Sequence, residues 1–157
     1  MEPREIEQFL YREARYMDDG DYDKWLGLWL DEATYWVPSN DEAGDPTQTV
    51  SVIYDDHARL EERVYRLTHP GGHSQDPPSR VRRIVSNIEI EGGGDIGGDI
   101  RVLSNFVLVE TRRGVQTVYA AKVEHGLVER DGDLRIRSKK VVLTALDDPL
   151  GNLTFLL

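Results

Sequence analysis

Residues 80–145 read as four long β-strands in unbroken succession, and this run decides the architecture, because strands joined in a meander lie side by side in one sheet. In residues 80–91, Ile84, Ile88 and Ile90 alternate with Arg83, Asn87, Glu89 and Glu91, which predicts an apolar face and a wet one. Residues 100–113 carry apolar side chains on both faces, Val102, Phe106 and Leu108 against Leu103, Val107 and Val109, so this strand is expected mid-sheet. Arg113 and Gly114 turn into residues 115–130, where Val115, Tyr119, Ala121, Val123 and Leu127 share a face. Asp131-Gly132 is a two-residue hairpin signal, and residues 134–145 complete the meander. The Gly-rich residues 92–98 read as a surface hairpin loop.

Upstream, the period changes. Ile6, Phe9, Leu10 and Met17 recur at helical spacing across residues 5–19, with Gly20 placed as a left-handed cap. Asp21 is positioned to cap a second, short helix with Trp25, Leu28 and Trp29 on one side, ending before Asp31. Residues 34–37 are strand formers stopped by Pro38, residues 39–48 form a loop, and residues 50–54 read as another short strand. Asp55 or Asp56 then caps a helix with the face Leu60, Val64 and Leu67, ended by His69, Pro70, Gly71 and Gly72. No internal repeat is present. Helices first and a long, mostly antiparallel meander last predict an α+β fold in which one curved sheet wraps the N-terminal helices as a cone or half-barrel. With 157 residues, one domain spanning 1–157 is expected.

Composition removes whole classes of function. No apolar run approaches the roughly 18–20 residues needed to span a bilayer, so no membrane insertion is expected. Met1-Glu2-Pro3-Arg4-Glu5 lacks the basic start and apolar stretch of a secretory signal, which predicts a cytoplasmic protein. Zero cysteines exclude disulfides, thiolate nucleophiles, thiolate zinc and iron–sulfur ligation within this chain. A formal charge of -10 repels phosphate backbones, so nucleic acid is not an expected partner.

Candidate chemistry rests on four histidines, His57, His69, His73 and His125. His69 and His73 have the spacing of a helical metal pair, with Asp76 as a carboxylate, but Pro70, Gly71 and Gly72 destroy the helix that would align them, so no metal site is expected. His125 shares the predicted strand face of Tyr119, Ala121 and Val123. It is either a general base oriented by Asp55 or Asp56, or a core-edge histidine with a satisfied hydrogen bond. No Ser, His, Asp order and no phosphate-cradling loop supports catalysis. Trp25, Trp29, Trp36 and Tyr35 read as core rather than as a pocket lining. Arg80, Arg82 and Arg83, and separately Arg135, Arg137, Lys139 and Lys140, cluster positive charge that serves either as a docking face or as solvated strand surface. Asn152-Leu153-Thr154 matches a glycosylation sequon, taken as chance without a secretory signal.

Four segments in register, together with the closing residues, resemble a known family. They are Gln8-Phe9-Leu10-Tyr11-Arg12-Glu13-Ala14; Tyr35-Trp36-Val37-Pro38; Tyr54-Asp55-Asp56 leading to Leu60, Glu61, Arg63 and Val64; and residues 73–80 from His73 through Asp76, Pro77, Pro78, Ser79 and Arg80, then Val85-Ser86-Asn87. These and Asn152 through Leu157 resemble the β (small) subunits of aromatic-ring-hydroxylating dioxygenases. The resemblance implies a cystatin-like, nuclear-transport-factor-2-like (NTF2-like) cone. It further implies a non-catalytic scaffold, a homotrimer within an α3β3 hexamer, whose partner α (large) subunit holds a Rieske 2Fe–2S cluster and a mononuclear iron for cis-dihydroxylation of an aromatic compound. In such enzymes one α subunit's cluster works with its neighbour's iron, so the scaffold governs electron transfer by orientation. No cofactor or metal is then expected in this chain, in keeping with its lack of cysteine. Asp76, Pro77, Pro78, Ser79, Arg80, Arg82 and Arg83 are the expected subunit contacts, a proline-stiffened loop beside arginine forks.

The alternative is a free-standing NTF2-like lyase or isomerase using His125 with Asp55 or Asp56 as pocket acid and base, since one fold hosts many functions. A closed apolar pocket with His125 and a carboxylate converging in it favours the enzyme, and a filled core beneath a large exposed interface favours the scaffold. A ligand-binding module using the aromatic cluster would need an open cone mouth.

Overall fold

The computed structural model describes residues 1–38, 45, 51–69, 79–92, 99–144 and 155–157. Its elements in chain order are α1 (Pro3–Asp19), α2 (Tyr22–Leu26), β1 (Trp29–Pro38), β2 (Ser51–Asp55), α3 (His57–Thr68), β3 (Arg80–Gly92), β4 (Ile100–Arg112), β5 (Val115–Arg130) and β6 (Asp133–Leu143). The six strands form one mixed sheet ordered β2-β1-β6-β5-β4-β3, antiparallel throughout except where β1 runs parallel to β6. The α+β expectation holds: helices lie against the sheet, and the core is the space between them.

Local chemistry accounts for most boundaries. Pro3 opens α1, and the Glu5 carboxylate accepts from the Glu2 N–H at 2.9 Å. Ile6, Phe9, Leu10, Glu13, Ala14 and Met17 form its buried face, and Gly20 at φ 77 ends it, with the Asp21 N–H on the Tyr16 carbonyl. Asp56, not Asp55, caps α3 by accepting from the Arg59 N–H at 2.9 Å. Arg113-Gly114 and Asp131-Gly132 all have positive φ, the geometry of two-residue hairpin turns, and they set the long β4–β5 and β5–β6 ladders.

Three expectations need correction. The second helix stops at Leu26, and Trp29 begins β1, because the chain there pairs with β6: the Leu28 carbonyl accepts from the Ile136 N–H and Trp29 lies opposite Ile136. β4 is an inner strand but stands one place from the edge, and its second apolar face is uncovered, with Val107 44% exposed. In β3 the faces are exchanged at Arg83 and Ile84: Arg83 points inward at 7% exposure and Ile84 outward at 69%. The cause is a bulge between Ser86 and Glu89, where Asn87 takes φ 55. An extra residue moves every side chain on one flank to the other face, so Val81, Arg83 and Val85 share the inner side with Ile88 and Ile90. The expected loops at residues 39–48 and 92–98, the sequon and the end of the last strand at Ala145 lie, wholly or in part, outside the described residues.

The bulge generates a prediction. Left-handed backbone costs a β-branched residue about 1–2 kcal/mol, so Asn87→Val lowers unfolding stability by that amount in a urea titration, whereas Asn87→Gly stays within about 1 kcal/mol of the parent.

Candidate functional site

The chemistry-bearing residues that meet in the interior come from four elements. Glu13 sits on the apolar face of α1, one turn from Phe9 and from Met17. His125 on β5 and Lys139 on β6 face each other across the ladder, each at an inward position. Trp25 comes from α2. The Glu13 carboxylate receives His125 Nε2 at 2.8 Å on Oε1, and Lys139 Nζ at 2.7 Å and Trp25 Nε1 at 3.0 Å on Oε2. An ionised carboxylate only accepts, so His125 carries its proton on Nε2, and its Nδ1 has no hydrogen-bond partner among the described residues.

Electrostatics follow from burial. Burial alone would raise the Glu13 carboxyl, but the Lys139 charge, the His125 ring and their hydrogen bonds outweigh it and hold the group far below the ordinary value of 4.5. Burial also pulls the Lys139 ammonium down, against the attraction of Glu13, and pushes the Tyr35 hydroxyl up. Lys139 Nζ and Tyr35 Oη both donate to the Leu157 main-chain oxygen at 2.9 Å. Beside them, Arg83 binds Asp18 through Nε at 2.7 Å and gives a second nitrogen to the Leu156 carbonyl at 2.7 Å. Trp25, Trp29 and Tyr35 pack edge to face at 5.3–6.1 Å, as core.

The cluster is closed. The cavity touching Glu13, His125 and Lys139 holds about 20 Å³, against the several hundred of a ligand pocket. A larger hollow of about 510 Å³ lies along the strands, lined among others by Glu89, Arg101, Leu103, Lys122, Glu124 and Lys140. On the outer sheet face Ile84 opposes Val107, Val107 opposes Ala120, and Val109 opposes Val118. Ile84, Val107 and Val118 there are exposed, flanked by exposed Arg80 and Arg82.

The structure joins His125 to a carboxylate, but not to the expected one. Asp55 is bound to Arg63 at 2.7 Å and Asp56 caps α3, so neither orients His125. Glu13 was missed because 112 residues separate it from His125. The available signal was a carboxylate, an imidazole and an ammonium each standing at an apolar-face position of its own element. Among the expected contact residues, Arg83 is spent inside the chain, Arg82 reaches Asp19 at 3.4 Å, and Ser79 donates to Glu110 at 2.6 Å. In the second basic cluster Lys139 is buried, while Lys140 lies 4.5 Å over the Trp36 ring. Asp76, Pro77, Pro78 and His73 lie outside the described residues, His69 stacks on Tyr65, and His57 meets Glu61 at 2.9 Å. Among the described residues no group of three or more His, Asp or Glu is arranged to hold a metal, and no helix is long and apolar enough to cross a membrane.

Known proteins share this fold. The family model for the ring hydroxylating beta subunit matches residues 12–146. The chain is 36% identical over 141 residues to the small oxygenase component of the p-cumate 2,3-dioxygenase system of Pseudomonas putida, covering 88% of this chain and 77% of that one. The crystal structure of the beta subunit of benzoate 1,2-dioxygenase from Burkholderia mallei superposes with a TM-score of 0.81 at 27% identity, over 99% of this chain and 98% of that one. A naphthalene 1,2-dioxygenase structure with bound indole also gives 0.81, at 22% identity, over 98% and 84% of the two chains, a likeness of fold.

Glu13 supplies a test of the cluster. Because its folded-state carboxyl is depressed, an unfolded chain takes up the proton first as pH falls; the stabilisation is complete above the ordinary value of 4.5 and is lost as pH drops toward the folded value. Glu13→Gln, which strands a buried ammonium, is expected to cost about 3–5 kcal/mol at pH 7 by chemical denaturation. The gap to the parent chain narrows progressively in acid below that value.

Proposed function

Because the chain belongs to the ring-hydroxylating β-subunit family and is the β subunit of an aromatic-ring-hydroxylating dioxygenase, we propose that it works as a non-catalytic scaffold that fixes the positions of iron-bearing α subunits. The filled core around His125 carries this reading. Glu13 accepts from both His125 and Lys139, and although His125 Nδ1 has no hydrogen-bond partner among the described residues, the adjoining cavity of about 20 Å³ admits no substrate to it. The free-standing lyase or isomerase needs that space.

The rest of the proposal follows from family membership. The whole chain acts as one domain, three copies associate, and three α subunits complete an α3β3 hexamer in the cytoplasm. The Rieske cluster and the mononuclear iron belong to the α chain, in accord with a sequence here that has no cysteine. Orientation is then the whole contribution, since electrons must pass from one α subunit's cluster to its neighbour's iron.

The contact surface we assign is the outer sheet face beside β3. Exposed apolar residues in a contiguous group mark association sites, and Ile84, Val107 and Val118 form such a group, with Val115 at its end. Exposed Arg80 and Arg82 border it, Arg82 within 3.4 Å of Asp19, and guanidinium forks at an exposed rim suit carboxylates on a partner. The loop Asp76, Pro77, Pro78 and Ser79 leads into the same strand.

Two measurements test the reading. The tagged chain, co-expressed with the large-subunit reading frame beside its own, is expected to elute at several times its 17.9 kDa with iron and acid-labile sulfide confined to the larger chain. Elution alone and metal-free would refute the scaffold. Ile84→Lys with Val118→Lys, both at exposed positions, is expected to abolish co-elution while leaving the thermal transition of the isolated chain within a few degrees of the parent.

A further inference from the structure

Residues Phe155–Leu157 are buried, at 7%, 2% and 0% exposure, yet they belong to no helix or strand. Their main chain is received by side chains. The Leu157 oxygen accepts from Tyr35 Oη and Lys139 Nζ, both at 2.9 Å; the Leu157 N–H donates back to Tyr35 Oη at 3.2 Å; and the Leu156 carbonyl accepts from Arg83 at 2.7 Å. The Phe155 ring meets the Tyr119 ring edge to face at 5.4 Å. These receiving groups come from β1, β3, β5 and β6, and the two charged ones are anchored independently, Lys139 on Glu13 and Arg83 on Asp18.

That is how a protein holds a peptide ligand: fixed donors converge on consecutive main-chain oxygens while apolar side chains fill the space between. We propose that the cone interior is a binding site for a short apolar peptide, occupied by the chain's own Phe155-Leu156-Leu157 as a built-in ligand. The site takes an extended segment with an aromatic residue followed by two branched aliphatic ones. Tyr35, Arg83 and Lys139 read the main chain, and Tyr119 reads the ring. Occupancy covers Tyr35 and Lys139, and Lys139 joins the tail to the Glu13 carboxylate. The inference concerns the inner face of the sheet and is independent of which partners cover the outer one.

The test uses the whole chain shortened by Phe155–Leu157 and the probe N-acetyl-Phe-Leu-Leu. The shortened chain is expected to melt at a lower temperature and to regain the parent transition saturably with the probe, while N-acetyl-Leu-Leu-Phe restores nothing. Tyr35→Phe in the shortened chain weakens probe binding roughly 5- to 100-fold, the loss that the hydroxyl's two hydrogen bonds to Leu157 account for. Should the shortened chain fail to fold, the intact chain with a protease recognition sequence in place of residues 149–153 is folded first, then cut and followed by native mass spectrometry. Retention of the released peptide and its exchange for isotope-labelled probe would support the site. A cut chain that loses the peptide and keeps the parent melting temperature overturns it, and so does aggregation that the probe does not prevent.

Discussion

One buried carboxylate constrains the whole inner face. Glu13 takes hydrogen bonds from Trp25 on α2, His125 on β5 and Lys139 on β6 while standing on α1. An apolar helix face tolerates small slips along a sheet, because dispersion and area burial change gradually with position. A desolvated carboxylate does not, since each lost donor leaves charge uncompensated in a low-dielectric interior. The position of α1 over β5 and β6 is therefore set by polar geometry, and the apolar residues around it, Phe9, Leu10 and Met17, pack in the register that geometry imposes.

The same logic extends along the sheet. Arg83 can point inward because Asp18, one residue past Met17, meets it with both a backbone and a guanidinium contact. Its inward course depends on the bulge at Asn87, without which the alternation of β3 would place Arg83 and Ile88 on opposite faces. Two buried ion pairs thus tie one helix to both halves of the meander, and together they shape the recess that Phe155–Leu157 fill.

What was legible in the sequence was local. The capped ends of α1 and α3, the two hairpin turns and the four long strands are written in residues within a few positions of one another, and there the reading stands. What failed was non-local or depended on a single irregular residue. Trp29 has helical spacing from Trp25, but its partner strand begins more than 100 positions later and overrides the local pattern. Ile84 looks like core until one residue with positive φ re-aims its flank. His125 is an acid–base candidate correctly placed on the inner face, but its carboxylate is neither Asp55 nor Asp56; the partner is Glu13, a helix residue flanked on its buried face by Phe9, Leu10 and Met17. A charged residue in the middle of an apolar stripe, at a place where solvent cannot reach, implies a partner elsewhere in the chain; two such residues of opposite sign, Glu13 and Lys139, imply each other.

The chemistry of the inner face and the apolarity of the outer one are connected. An imidazole held by a carboxylate beside a lysine would be competent for proton transfer in an open cone, because a substrate could take the place of one internal donor. Here each donor already has its acceptor and the remaining space is near that of one small molecule of solvent. Charges placed so cost desolvation and return rigidity. A sheet held rigid on one side can present Ile84, Val107 and Val118 on the other at fixed spacing, and side chains held at fixed spacing lose little freedom when a partner covers them. A subunit whose task is to hold other chains at a set orientation needs that property more than it needs a pocket, so ion pairs buried within the chain serve the proposed role.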